Sequence, residues 1–116
     1  MSLWKCNDVE LEVDMEDVEF QEKYEKAFIN MEKTEIELQK IGNLSQITKS
    51  YCQMFYQLFD DIFGSGTGEK LFGGKYNARL VDEVYDSFIN HCKKEVEAAN
   101  KRRANTVKKN KVNKRQ

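Results

Sequence analysis

Residues 47–63 read ITKSYCQMFYQLFDDIF, and this stretch decides the fold. Its apolar residues form a wide stripe: Ile47, Tyr51, Met54, Phe55, Leu58, Phe59 and Ile62. Recurrence at three- and four-residue steps predicts an amphipathic helix over residues 46–63, with Ser45 as its N-cap. Because the stripe is wider than one contact face requires, it predicts either a central core helix or a helix that also binds a partner protein.

The same helical spacing occurs before this stretch. Apolar residues at three-, four- and seven-residue steps predict a first helix over residues 16–41, with charged side chains on its opposite face. The apolar face consists of Phe20, Tyr24, Ala27, Phe28, Met31, Leu38 and Ile41. Asp14 or Asp17 supplies the N-cap, and Gly42 followed by Asn43 ends the helix as a C′ glycine does.

A glycine-rich segment follows the central helix. Residues 64–75 contain five of the six glycines and predict a rigid, tightly turned connection. We expect Leu71 and Phe72 to anchor this connection to the core, and the two glycines after them to lie in a turn with positive φ. Asn77 then caps a third helix. Its broad apolar face consists of Leu80, Val81, Val84, Tyr85, Phe88 and Cys92.

The N-terminal residues alternate with a period of two instead. In the run VELEV, residues 9–13, the valine and leucine side chains share one face and the two glutamates share the other. Asn7 and Asp8 separate this run from residues 3–6. Because Asn and Asp tolerate the left-handed conformation of tight turns, the pattern predicts a short β-hairpin. A two-stranded ribbon is marginal alone and must lie on the helices or gain a strand from a partner.

Length and charge distribution complete the predicted architecture. The chain has 116 residues, which fits one domain. All 20 acidic residues and 11 of the 19 basic ones lie in residues 1–97, and the other 8 basic residues lie in residues 98–116. The basic segment has little apolar surface to bury, so its composition predicts disorder. We therefore predict a mainly α fold: a single three-helix domain over residues 1–97 with a short N-terminal β-hairpin, followed by a disordered basic tail.

No nucleotide-binding motif is complete in the glycine-rich segment. A P-loop needs glycine at the sixth position and Ser or Thr after its lysine. Counted from Gly64, the sixth residue is Glu69, and Lys70 is followed by leucine. In the preceding helix, the adjacent Asp60 and Asp61 point about 100° apart, which favours a polar border over a shared metal or proton.

The cysteine and histidine pattern also lacks a reactive set. Cys6, Cys52 and Cys92 are odd in number and widely spaced, which predicts reduced intracellular thiols. The only histidine, His91, lies next to Cys92, and this pair predicts two ordinary helix residues because structural zinc sites take four ligands. We therefore predict a protein that is not an enzyme, with no catalytic residue, no cofactor and no metal.

The basic tail and the N-terminus bear on partners and location. The tail can neutralise nucleic-acid phosphates, but it has no interleaved aromatic residues that would stack on bases. We therefore rank nucleic acid below two other roles, a solubilising tail and a tether to an acidic partner. No run approaches the roughly 20 apolar residues of a membrane span, and the N-terminus lacks the apolar core of a signal peptide. These features predict a cytoplasmic protein without a membrane partner.

The stretch from Phe59 to Lys75, FDDIFGSGTGEKLFGGK, resembles small phage and prophage proteins encoded in the tail-morphogenesis region. The wider layout over residues 3–95 is similar to that of the group called tail assembly chaperones. It has an N-terminal hairpin, an acidic entry to the first helix and three helices, and a basic end rich in Asn, Lys and Arg follows. The resemblance implies a non-catalytic protein that binds the tape-measure protein or the tail-tube protein during assembly.

We therefore predict a tail-morphogenesis factor that masks apolar surface on a partner protein. Aromatic and Met side chains adapt to varied apolar surfaces, so the predicted partner-binding residues are Tyr51, Met54, Phe55, Phe59, Phe63 and Phe72. Two alternatives stay open: a small phage-encoded inhibitor of a host defence protein that acts through surface acidity, and a nucleic-acid-binding accessory protein that uses the tail. Self-association also stays open.

Overall fold

The N-terminal residues form the predicted hairpin. In this computed structural model of the chain, which describes residues 1–38 and 42–114, β1 (Ser2–Cys6) pairs antiparallel with β2 (Val9–Val13). The turn residues Asn7 and Asp8 both have positive φ, 49° and 63°, as a two-residue hairpin turn requires. The hairpin lies on the helices, because Trp4 and Val13 are buried in the common core.

The first helix, α1, spans Val18–Leu38. Asp17 caps it, since the Phe20 backbone N–H donates to the Asp17 carboxylate at 3.2 Å. The residues of the predicted apolar face from Phe20 to Leu38 all contact the core, and Ala27 is fully buried. The predicted end at Ile41 lies outside the described residues.

The central helix, α2, spans Leu44–Phe63 and begins two residues earlier than predicted. Its N-cap is Asn43, whose side chain accepts a hydrogen bond from the Gln46 backbone N–H at 3.0 Å. The predicted cap, Ser45, was wrong, because it lies inside the first turn and its hydroxyl donates to the Asn43 side chain at 3.1 Å. The backbone of Asn43 is extended, as an N-cap residue requires, whereas Ser45 is already helical. Asn43, the earlier of these two suitable side chains, therefore caps the helix.

The glycine-rich segment contains a helix that the sequence did not predict. This helix, α3, spans Thr67–Phe72, and both expected anchors, Leu71 and Phe72, are buried. The two glycines after it have positive φ, 63° at Gly73 and 73° at Gly74, as predicted. Fourteen residues between Phe63 and Ala78 thus return the chain along the side of α2. Along this path the Tyr56 hydroxyl donates to the Lys75 backbone carbonyl at 2.7 Å.

Gly68 sets how closely α3 approaches α2. A Cβ atom at this position would lie 2.8 Å from both the backbone Cα and the carbonyl oxygen of Tyr56. The Gly68 backbone N–H also donates to the Asp60 carboxylate at 2.8 Å. Only glycine therefore lets the two helices meet at this distance.

The last helix, α4, spans Ala78–Lys114 and begins at the predicted cap, because Asn77 accepts from the Leu80 N–H at 3.2 Å. It crosses the predicted boundary at residue 97 without a break. The helix continues to Lys114, and side chains 100–109 are all exposed, as the composition indicated. Helix propagation from the packed turns requires no new nucleation, and Ala, Lys and Arg are good helix formers.

The three long helices form one core with the hairpin, as predicted. Helix α1 is antiparallel to α4, since Tyr24 lies against Phe88 and Phe28 against Tyr85. Helix α2 is parallel to α4, with ring centroids 5.0 Å apart for Phe55 and Tyr85. The fold is mainly α with an N-terminal β-hairpin. Among the described residues, no helix is both long enough and apolar enough to cross a membrane.

Replacing Gly68 with alanine is expected to destabilise the fold by ~1–3 kcal/mol, because the new methyl group meets the backbone of α2. Urea denaturation measures the change. Gly42→Ala is the matched control, since its Cβ meets no atom within 4 Å, and it should change stability by less than ~0.5 kcal/mol. Equal effects of the two substitutions would contradict the close approach of α3 and α2.

Deleting residues 104–116 is expected to leave the melting temperature nearly unchanged, because the described side chains in this segment are exposed. A longer deletion of residues 96–116 should lower it, since it removes Ala99, the last buried residue in the described part of α4. Differential scanning calorimetry distinguishes the two. A large drop after the shorter deletion would mean that the end of α4 packs on the acidic body of the protein.

Candidate functional site

The six predicted partner-binding residues do not form one surface. Four of them are buried in the core at 4% exposure or less and offer no surface to a partner in this fold: Met54, Phe55, Phe59 and Phe72. Tyr51 and Phe63 keep part of their surface exposed. These two lie twelve residues apart on α2, about 18 Å along the helix axis, so one small contact does not include both.

An uncovered apolar surface lies at the start of α2 instead. The apolar stripe of this helix continues towards its N-terminus beyond the part that α4 covers. Leu44 is 80% exposed and Ile47 38% exposed, and both lie on the side of α2 that carries Tyr51. We call Leu44, Ile47 and Tyr51 the α2 tip. The sequence placed Ile47 and Tyr51 in the stripe but missed Leu44, which the assumed Ser45 cap left outside the helix.

Tyr51 marks the border between the covered and uncovered parts of the stripe. Its hydroxyl donates to the Asp82 carboxylate at 2.5 Å, and its ring lies edge-on to Phe55 with centroids 5.1 Å apart. Burial and this hydrogen bond to the carboxylate raise the pKa of the Tyr51 hydroxyl. Tyr51 is therefore a fixed, uncharged residue at the edge of the α2 tip.

A second apolar recess lies between the start of α1 and α4. It is a groove of about 510 Å³ whose apolar walls come from three parts of the chain: Met15, Tyr24, Ile89, Cys92 and Val96. Sequence periodicity missed this groove, because residues that follow β2 and lie on two antiparallel helices meet there only in the folded chain.

A serine, a histidine and a glutamate meet where β1 crosses α4. His91 Nε2 lies 2.7 Å from Ser2 Oγ, and the Ser2 hydroxyl donates to the Glu95 carboxylate. The other Glu95 oxygen accepts from the Met15 backbone N–H at 2.6 Å. In a nucleophilic triad the histidine takes the serine proton and the acid holds the other ring nitrogen. Here the serine proton goes to the acid, so the cluster joins the hairpin to α4 and does not activate Ser2.

The remaining polar candidates have structural partners. The Asp60 carboxylate accepts from the Gly68 N–H, and Asp61 accepts from the Gln57 side-chain amide at 2.7 Å. His91 faces Ser2, whereas Cys92 is buried in the core. Within residues 1–38 and 42–114, no group of three or more His, Cys, Asp or Glu side chains is placed to hold a metal ion.

The exposed end of α4 carries basic side chains and no acidic ones beyond Glu97. Its first turn is held to the body, since both terminal N–H groups of the Arg102 guanidinium donate hydrogen bonds to the Glu16 carboxylate and Arg103 Nη2 lies 3.6 Å from a Glu16 oxygen. The hydrogen bond from Arg102 lowers the pKa of Glu16. Glu16 is thus ionised, and its charge is balanced by the arginines at the base of this basic helix.

One comparison with known proteins gives a match. The model of a family described as "Family of unknown function (DUF6673)" matches residues 7–116, which include β2 and all four helices. No curated protein and no solved structure matches the chain.

Thiol reactivity tests the burial of the core. Burial raises the pKa of all three cysteine thiols, and that of Cys92 reaches about 12. At pH 8 we therefore expect an aromatic disulfide reagent to modify half-exposed Cys6 first, and Cys52 and Cys92 only as fast as the protein unfolds. Absorbance of the released thiolate measures the rates, and urea-unfolded protein, in which all three thiols react, is the control. Fast reaction of Cys92 in the folded protein would contradict this packing.

Proposed function

This chain belongs to DUF6673, a family of unknown function, and we propose that it is a non-catalytic factor of phage tail morphogenesis, of the assembly-chaperone kind. In this proposal it acts in the cytoplasm of the host cell. It covers apolar helical surface on a tail protein, such as the tape-measure or tail-tube protein, until assembly proceeds. The observation that carries the proposal is the α2 tip.

The α2 tip suits a protein partner because its apolar residues are contiguous and uncovered. Leu44 and Ile47 lie one turn apart on the same side of α2, and Tyr51 follows one turn later. Aromatic residues are enriched in the buried centres of protein interfaces, and charged residues are depleted there. Within the tip the three side chains are uncharged.

The size of the α2 tip favours transient binding. Full burial of an exposed Leu or Ile side chain contributes about 1.5–3 kcal/mol. Two such residues and part of a tyrosine offset the cost of association by only a modest margin. Because an assembly chaperone releases its partner, modest affinity is what this role requires.

The segment that carries the family resemblance has a supporting role in this proposal. Residues 59–75 form the end of α2, the helix α3 and the turns around it. They return the chain along α2 and place the start of α4 beside Tyr51 instead of beside Leu44. The segment thus leaves the α2 tip uncovered, and the tip is where the proposal puts the contact.

Copurification with tagged tape-measure and tail-tube proteins of the same phage genome tests the proposal. We expect the wild-type protein to bind one of them, and Leu44→Ser with Ile47→Ser to weaken binding by about tenfold or more, because the contact loses most of its apolar area. Isothermal titration calorimetry with the captured protein measures the affinity.

Val18→Ser with Ile29→Ser is the matched control, since these two apolar residues are also exposed, at 62% and 53%, but lie on α1. The control variant should bind as the wild type does. Unchanged binding by the tip variant would move the contact away from the α2 tip. Failure of the wild type to bind either tail protein would overturn the proposal, and the inhibitor of a host defence protein would then be the leading candidate.

A further inference from the structure

We propose that the exposed end of α4 binds B-form DNA by lying in its major groove. We call residues 100–114 the basic arm. This inference is independent of the proposed function, because it rests on different residues at the opposite end of the molecule. It also reverses the low rank that the sequence gave to nucleic acid, since that rank rested on the lack of aromatic residues, which stack on single-stranded bases and are not needed in the groove of a duplex.

The basic arm is a helix that the rest of the chain leaves uncovered. All described side chains from Asn100 to Lys109 are exposed, and the molecule is elongated, with extents of 69 × 31 × 22 Å. The segment contains seven basic residues and no acidic one. Among the described residues, no ion pair includes Lys101, Lys108 or Lys109. The unpaired positive side chains on this helix repel one another, so the binding of a polyanion stabilises the helix.

The positive charge of the described residues lies on more than one side of the helix. At about 100° per residue, Lys101 and Lys108 share one side, and Lys109 lies about 80° away from Lys101. Arg102 and Arg103 follow at about 100° and 200° from Lys101. An acidic protein surface would contact one face only. A helix in the major groove has a phosphate backbone on each flank, which matches charge on several sides.

The dimensions of the basic arm fit the groove of B-form DNA. An α-helix with its side chains is about 10–12 Å across, and the major groove is about 12 Å wide. The major groove of A-form RNA is too narrow and deep for a helix to enter. Residues 100–114 include no aromatic side chain, which disfavours stacking on single-stranded bases. Duplex DNA is therefore the polyanion that this shape and composition fit.

Asn105 lies where a residue in the groove would meet base edges. It falls about 40° from Lys101 and about 40° from Lys109, so it has a lysine on each side. Asn side chains pair with adenine edges in the major groove, and lysines on the flanks meet phosphates. Asn105 is exposed and has no side-chain hydrogen bond among the described residues.

The acidic body does not prevent this contact. Glu16 binds Arg102 and Arg103 at the base of the basic arm, which fixes the direction of the helix and neutralises the nearest acidic charge. The helix continues for eleven residues beyond Arg103, about 16 Å. This length exceeds the Debye length of about 8 Å at physiological ionic strength, so the repulsion between the body and the DNA is screened.

Fluorescence anisotropy of the full-length protein with a labelled 20-base-pair DNA duplex tests the proposal between 50 and 200 mM salt. Five phosphate contacts predict a slope of about −4.5 in a plot of log affinity against log salt. The variant Lys101→Gln, Lys108→Gln, Lys109→Gln should reduce the magnitude of this slope by about 2.7 and weaken binding at 100 mM salt by about tenfold or more.

The matched control is Lys23→Gln, Lys26→Gln, Lys33→Gln, which removes the same charge from exposed positions of α1. It should keep the wild-type slope and affinity, and circular dichroism should give the same helical content for both variants. Duplex RNA and single-stranded DNA of the same length should bind more weakly than duplex DNA.

Four results would overturn the proposal. The first is wild-type affinity in the basic-arm variant, and the second is an equal loss in the α1 control, which would mean that only net charge matters. The third is RNA or single-stranded DNA that binds as tightly as duplex DNA. The fourth is no DNA binding at 50 mM salt together with self-association in sedimentation velocity that the basic-arm variant loses. The partner of the basic arm would then be the acidic body of a second copy.

Discussion

The packing of Trp4 against the helices is the interaction on which the rest of the structure depends. Its ring lies 5.6 Å from that of Phe59 on α2 and 5.1 Å from that of Phe88 on α4, and its indole N–H donates to Ser87 Oγ at 3.0 Å. The hairpin gains its stability from this contact, because a two-stranded ribbon is marginal alone. The two parallel helices in turn gain a common cover at the level where their phenylalanines meet.

The parallel arrangement of α2 and α4 imposes a second constraint. Two consecutive long helices are parallel only if the connection returns the chain along the first one. Residues 64–77 do this by lying against α2, and the absence of a side chain at Gly68 permits the approach. The return ends near Tyr51, short of the start of α2. The uncovered α2 tip and the long basic arm are thus two results of one offset between these helices.

Both proposed surfaces lie outside the aromatic centre of the protein. The sequence predicted six partner-binding residues, most of them in the α2 stripe. Four of these six are buried in the core: Met54, Phe55, Phe59 and Phe72. Periodicity identifies which side of a helix is apolar, but it does not tell how far along the axis a neighbour covers it. That length depends on where α4 begins relative to α2. The Ser2, His91 and Glu95 cluster was missed for a related reason, since about 90 residues separate Ser2 from the other two in the sequence.

The sequence by itself determined the three long helices, the hairpin turn, the Asn77 cap and the burial of Leu71 and Phe72, because local spacing and turn chemistry control these features. It also determined the separation of acidic and basic residues. The tertiary structure alone decided that the glycine-rich segment contains α3 and that Leu44 stays exposed. It also decided that the basic segment continues α4, because a helix already nucleated by packing against Trp4 and α2 extends at little further cost. These outcomes depend on the positions of the helix ends relative to one another along the bundle. No local sequence pattern encodes those positions.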